Sequence, residues 1–135
     1  MDRLTPEQRS ENMRRIRGKN TRPEMIVRHV VFKMGYRYRL HYRILPGCPD
    51  LAVLGRKKAI FVHGCFWHGH DGCRLAHRPV SRTEFWLSKI ERNRFRDEVN
   101  EQRLKALGWS VLTVWECETR SVQPLQAKLT QFLGR

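Results

Sequence analysis

Acidic residues are scarce in this chain: 13 Asp and Glu stand against 27 Lys and Arg, leaving a net charge of +14 over 135 residues. So basic a chain repels itself at neutral pH unless an anion meets it, and nucleic acid is the leading candidate. Long apolar runs are missing as well. No segment approaches the roughly 18 apolar residues of a membrane span, and the basic residues are spread along the whole chain rather than over one membrane-seeking segment. The N-terminus, Met1-Asp2-Arg3-Leu4-Thr5-Pro6, has no apolar stretch of the signal-peptide kind, so a cytoplasmic protein is expected. There the four cysteines, Cys48, Cys65, Cys73 and Cys117, suit thiols or metal ligands better than two disulfides. Internal repeats, low-complexity tracts and dividing linkers are also absent. The length suits one domain, residues 1–135, with room for a real core.

What is present sorts into elements by periodicity. Residues 1–20 carry Arg3, Arg9, Arg14, Arg15, Arg17 and Lys19 with few large apolar residues, a basic arm outside the core. From Arg22 the pattern turns helical, with Pro23 suited to a first turn and Gly35 as the stop. Tyr36 to Ile44 alternates and predicts a half-exposed strand. Asp50 to Leu54 predicts a second strand and Ala59 to Val62 a third, fully buried one. Arg82 to Leu107 predicts a long basic helix, Ser110 to Trp115 a fourth strand, and Gln123 to Leu133 a closing helix. Helix, three strands, helix, strand, helix describes an α/β domain: a mixed β-sheet flanked by helices.

The chemistry is concentrated between Asp50 and Trp86. Asp50 follows Pro-Gly-Cys-Pro at the start of a strand, where a carboxylate can hold a divalent cation with water and phosphate. By itself an Asp after Pro is more often a turn residue. Cys65-x4-His70-x2-Cys73 offers three zinc-type donors within nine residues, and Cys117 can supply the fourth if its strand lies beside the third. His63 and His68 are not needed for that zinc, and imidazoles can move protons near neutrality. Glu24 is a further carboxylate, although alone it reads as a solvated helix residue. Phe66, Trp67 and Trp86 would suit a core, yet aromatics among glycines, histidines and arginines also suit stacking on bases or wedging between them.

These residues resemble a known family, the very short patch repair endonucleases of the restriction-endonuclease-like superfamily. The likeness runs through Ser10-Glu11-Asn12-Met13-Arg14, Leu45-Pro46-Gly47-Cys48-Pro49-Asp50, the His63 to Cys73 run, and Ser81-Arg82-Thr83-Glu84-Phe85-Trp86 with Lys89 and Asn93. It continues through Leu107-Gly108-Trp109 to Trp115-Glu116-Cys117. The acid-x-Lys half of the superfamily's metal motif is missing. The resemblance implies a restriction-endonuclease-like sheet and magnesium-dependent nicking of one DNA strand beside a T·G mismatch left by 5-methylcytosine deamination. It implies Mg2+ on Asp50 and the Val62 carbonyl, His63 and His68 as catalytic histidines, and Glu24 as an outer carboxylate. It makes Cys65, His70, Cys73 and Cys117 a structural Zn2+ set, and Phe66, Trp67 and Trp86 a wedge. Met13 and Arg14 would clamp the minor groove, with Arg82, Lys89 and Asn93 among the DNA contacts. A nucleoid-associated monomer is expected, with mismatch-repair proteins as further partners. Two rival readings are a non-catalytic, zinc-stapled DNA-binding module and a zinc hydrolase.

Overall fold

The computed structural model describes residues 20–76 and 83–134, so Met13, Arg14 and Arg82 lie outside the described residues. Helix α1 spans Arg22–Lys33. Thr21 caps it, Oγ1 accepting the Glu24 N–H at 3.3 Å, and Pro23 occupies the first turn, where a missing N–H costs nothing. Val27, Val30 and Val31, spaced by three and four, form its buried stripe. Gly35, with φ +90°, ends it.

Strand β1 is only Arg39–Leu40, much shorter than the expected Tyr36–Ile44. His41 turns into the left-handed region at φ +46°, and the chain then curls through bonds from Leu45 N–H to Tyr42 O and from Cys48 N–H to Leu45 O. The half-exposed alternation had little burial to gain by continuing as a strand. Strands β2 (Leu51–Val53) and β3 (Lys58–His63) follow, joined by a tight helical turn over Leu54–Arg56. Helix α2 runs Thr83–Ala106, β4 Ser110–Trp115 as expected, and α3 Val122–Leu133.

The sheet order is β1-β2-β3-β4. The first two pairings are antiparallel, while β3 and β4 are parallel, the two joined through α2. Parallel neighbours need such a crossover. The register sets His63 opposite Trp115 and Val62 opposite Val114. Because strand side chains alternate, Leu51, Val53, Ile60 and Val114 share one face and pack on α1 and on Leu125, Leu129 and Leu133 of α3. The other face carries Phe61, His63, Thr113 and Trp115 into a groove of about 1000 Å³, across which stand Asp97 and Asn100 of α2. Ala59, Ile60 and His63 of β3 are buried, whereas Phe61 and Val62 are only partly so, short of the fully buried strand expected. No helix among the described residues is long and apolar enough to cross a membrane.

Candidate active site and metal centre

Asp50 precedes β2, and the antiparallel turn brings it beside the far end of β3. Its Oδ2 accepts the Val62 N–H at 2.7 Å, so the Val62 peptide lies against the carboxylate. Glu24, His41 and Asp50 bring donor atoms within 4.8 Å of one another. Glu24 is 2% exposed, contrary to the solvated helix residue expected from sequence alone. It is buried because it is paired: Arg28 Nη2 donates to its Oε2, His41 Nε2 lies 2.8 Å from the same oxygen, and the Asn20 N–H reaches Oε1 at 3.3 Å. Burial pushes the Asp50 carboxyl up to about 7, and the neighbouring Glu24 adds to that rise against the opposing Val62 N–H and Arg28. Two carboxylates crowded this closely make a hard-oxygen site that a divalent cation would neutralise.

Across the same groove the rings of His63 and His68 stack, centroids 3.8 Å apart and planes 4° from parallel. His68 Nδ1 donates to Asp97 Oδ2 at 2.5 Å, while His63 Nδ1 stands 3.8 Å from that oxygen. Asp97 thereby fixes the His68 tautomer and leaves Nε2 to exchange a proton. Burial first, and then the His68 charge, lower His63 to about 4, with Asp97 opposing. His63 is therefore a neutral imidazole at neutral pH. His63, His68 and Asp97 also form a potential metal-ligating group. Their stacking opposes it, since an ion about 2.1 Å from one nitrogen and in its ring plane would lie far out of the other plane.

Cys65, His70, Cys73 and Cys117 converge, their donor atoms all within 4.8 Å of one another. Cys117 Sγ lies 3.6 Å from His70 Nδ1, which is about the edge of a tetrahedron with zinc–sulfur and zinc–nitrogen bonds of ordinary length. The β3–β4 pairing carries Cys117 to the loop, and its N–H points at Cys65 Sγ at 3.4 Å. Within the loop His70 N–H bonds Cys65 O at 2.9 Å, and Gly69 and Gly72 take positive φ. Burial pushes the Cys65 thiol up to about 12 and raises Cys117 too, with the Cys73 thiol adding to both. A soft dication would reverse that penalty. Four protein donors suit a closed, structural ion. Cys48 stands apart, lining the groove beside Asp50 at φ +51°.

The aromatics form one knot. Phe66 meets Trp67 and Trp86 edge-on at 5.0 and 5.4 Å, and Trp67 and Trp86 are 5.5 Å apart. Trp67 is only 9% exposed, against the expectation of an exposed side chain. Lys89 sits over the Phe85 ring at 5.4 Å. Asn93 is 9% exposed, and its Nδ2 donates to Trp67 O at 2.7 Å. Asp97 and His41 were not expected from the sequence. Asp97 lies four residues beyond Asn93, so the two share a helix face, and that spacing was the available signal.

The family model for the DNA mismatch endonuclease Vsr matches residues 1–74. The type II nicking enzyme V.XorIIP of Xanthomonas oryzae pv. oryzae is 50% identical over 132 residues, covering 98% of this chain and 96% of that protein. The DNA mismatch endonuclease Vsr of Escherichia coli K12 is 44% identical over 117 residues, covering 87% and 74% respectively. The type II nicking enzyme V.HpaIIP of Haemophilus parainfluenzae is 40% identical over 116 residues. With more than half the chain matched by the family model and the likeness to V.XorIIP running almost end to end, this chain belongs to the Vsr family of DNA endonucleases.

Proposed function

We propose that this protein nicks one strand of a DNA duplex beside a T·G mismatch, by Mg2+-dependent phosphodiester hydrolysis. The observation that carries the reading is the pairing of a crowded carboxylate site, Asp50 with Glu24, and an Asp97-oriented His68 across one groove. Asp50, with the Val62 carbonyl beside it and Glu24 behind, would hold Mg2+, which when bound supplies polarisation of the scissile phosphate and stabilises the leaving oxygen. His68 keeps its Nδ1 proton on Asp97, so Nε2 takes the proton of an attacking water. Neutral His63, stacked on His68, holds that ring in place.

Zn2+ on Cys65, His70, Cys73 and Cys117 would tie the loop to the end of β4, a structural task. A duplex supplies the counter-charge for +14. The Met13–Arg14 arm would clamp the minor groove, with Arg82 and Lys89 on phosphates. Phe66, Trp67 and Trp86 would open the mismatch, Trp67 swinging out of its knot, and a wobble pair resists unstacking less than a Watson–Crick pair. The restriction-endonuclease-like assignment, a monomeric state and recruitment of mismatch-repair proteins belong to the same reading.

The test is strand cleavage of T·G and fully paired duplexes, with and without Mg2+, on zinc-replete protein. Nicking confined to the mismatched duplex and lost without Mg2+ supports the reading. Binding without cleavage would favour the DNA-binding module, and cleavage that persists without Mg2+ would favour a zinc hydrolase.

A further inference from the structure

The loop that carries Phe66, Trp67 and His68 is held along one side by α2, which supplies Trp86 to the aromatic knot. Asn93 Nδ2 donates to Trp67 O at 2.7 Å, and one helical turn later Asp97 accepts from His68 Nδ1 at 2.5 Å. The two acceptor and donor groups belong to neighbouring residues, joined by a single peptide unit. Arg96 Nη2 bonds Asn93 Oδ1 at 2.5 Å, which fixes the carboxamide the right way round. Next along, Gly69 lies so close to the helix that an added Cβ would meet Ile90 Cγ2 at 2.5 Å. Arg94 then reaches Asp71 at 3.3 Å. The loop is therefore pressed onto α2 from residue 67 to residue 71.

This arrangement separates two demands. Trp67, 9% exposed, must leave its knot if it is to enter a duplex, whereas His68 must stay aligned. A fixed carbonyl lets the indole swing about its side-chain bonds while the backbone stays still. We propose that Asn93 is a positioning residue: it anchors the Trp67–His68 peptide to α2, so that movement of the indole does not displace the His68 imidazole. This rests on the reading of His68 as the proton-handling group.

The experiment measures kcat, KM and mismatch affinity on a T·G duplex for Asn93→Ala, His68→Ala and the double variant, with thermal melting and zinc content alongside. Asn93→Asp, the same size but with an acceptor facing the carbonyl, is the second probe. Both Asn93 variants are expected to remain folded and zinc-loaded and to lose about 10- to 100-fold in kcat, with KM and mismatch affinity nearly unchanged. In the His68→Ala background, Asn93→Ala should cost nothing further, because the peptide it anchors no longer carries the imidazole. Additive losses would overturn the proposal, as would an unchanged kcat in either Asn93 variant. Failure of both variants to fold would overturn it too, since Asn93 would then hold up the domain rather than one peptide. Should His68→Ala alone leave nicking intact, the assignment of His68 falls first, independently of Asn93.

Discussion

Replacing Asp50 with Asn should raise the stability of the protein in magnesium-free buffer, while abolishing nicking. In the folded chain the Asp50 carboxyl titrates at about 7, against an ordinary value of 3.8. Between those values the folded chain keeps a proton that the unfolded chain has released. Asp50 therefore favours folding fully below 3.8, and that contribution is lost as the pH rises through 7. At about 1.4 kcal/mol per tenfold, the gap amounts to at most roughly 4 kcal/mol against the folded state at pH 8. Asn is never charged, and its oxygen can still accept from the Val62 N–H, so the variant escapes this loss. Thermal melting from pH 4 to pH 8 should show curves that nearly meet in acid and diverge with rising pH, the variant above the wild type.

Mg2+ supplies the converse. At 100-fold over its dissociation constant, an ion bound only to the folded state stabilises it by about 2.7 kcal/mol. It should do so for the wild type at pH 8 and leave Asp50→Asn unmoved. Parallel melting curves across the pH range would refute the burial argument. Stabilisation by Mg2+ that survives in the variant would refute the placement of the cation.

The other expectations concern zinc, the aromatic knot and Asp97. Elemental analysis should find about one zinc per chain, and Cys117→Ser should lose it together with a large part of the melting temperature, because zinc binding is coupled to folding; a stable, zinc-free wild type would reject the site. Trp67→Ala should cost roughly 3–5 kcal/mol of stability, since the indole is packed in the free protein. It should also lower affinity for the T·G duplex by about 1–3 kcal/mol, with a smaller change on paired DNA; an unchanged mismatch preference would make Trp67 core alone. Asp97→Asn removes the charge that orients His68, so kcat should fall by up to the roughly 10²–10⁴-fold a proton-transferring group supplies. Its melting temperature and mismatch affinity should stay near wild type, and near-normal kcat would remove Asp97 from the site.

Local signals carried much of this protein. Charge imbalance pointed to a polyanion. Pro23 and Gly35 bracket α1, β4 lies where its apolar run predicts, and the spacing of Cys65, His70 and Cys73 marked a group of metal-type donors to which Cys117 could be added. Asp50 stood out because it follows Pro-Gly-Cys-Pro at the start of a strand. Such features depend on neighbours within a few residues, and a linear pattern records them.

Only the tertiary structure decided which polar groups meet. The parallel register of β3 and β4 delivers Cys117 to the loop. The path of α2 sets Asp97 on His68 and Asn93 on the Trp67 carbonyl. Glu24 reads as a solvated helix residue until Arg28 and His41 close over it, and Trp67 reads as an exposed wedge until Phe66 and Trp86 pack against it. A buried charge or a packed indole is decided by partners far away in the chain, whose approach depends on strand register and helix crossing. No residue's own type or spacing encodes that distance.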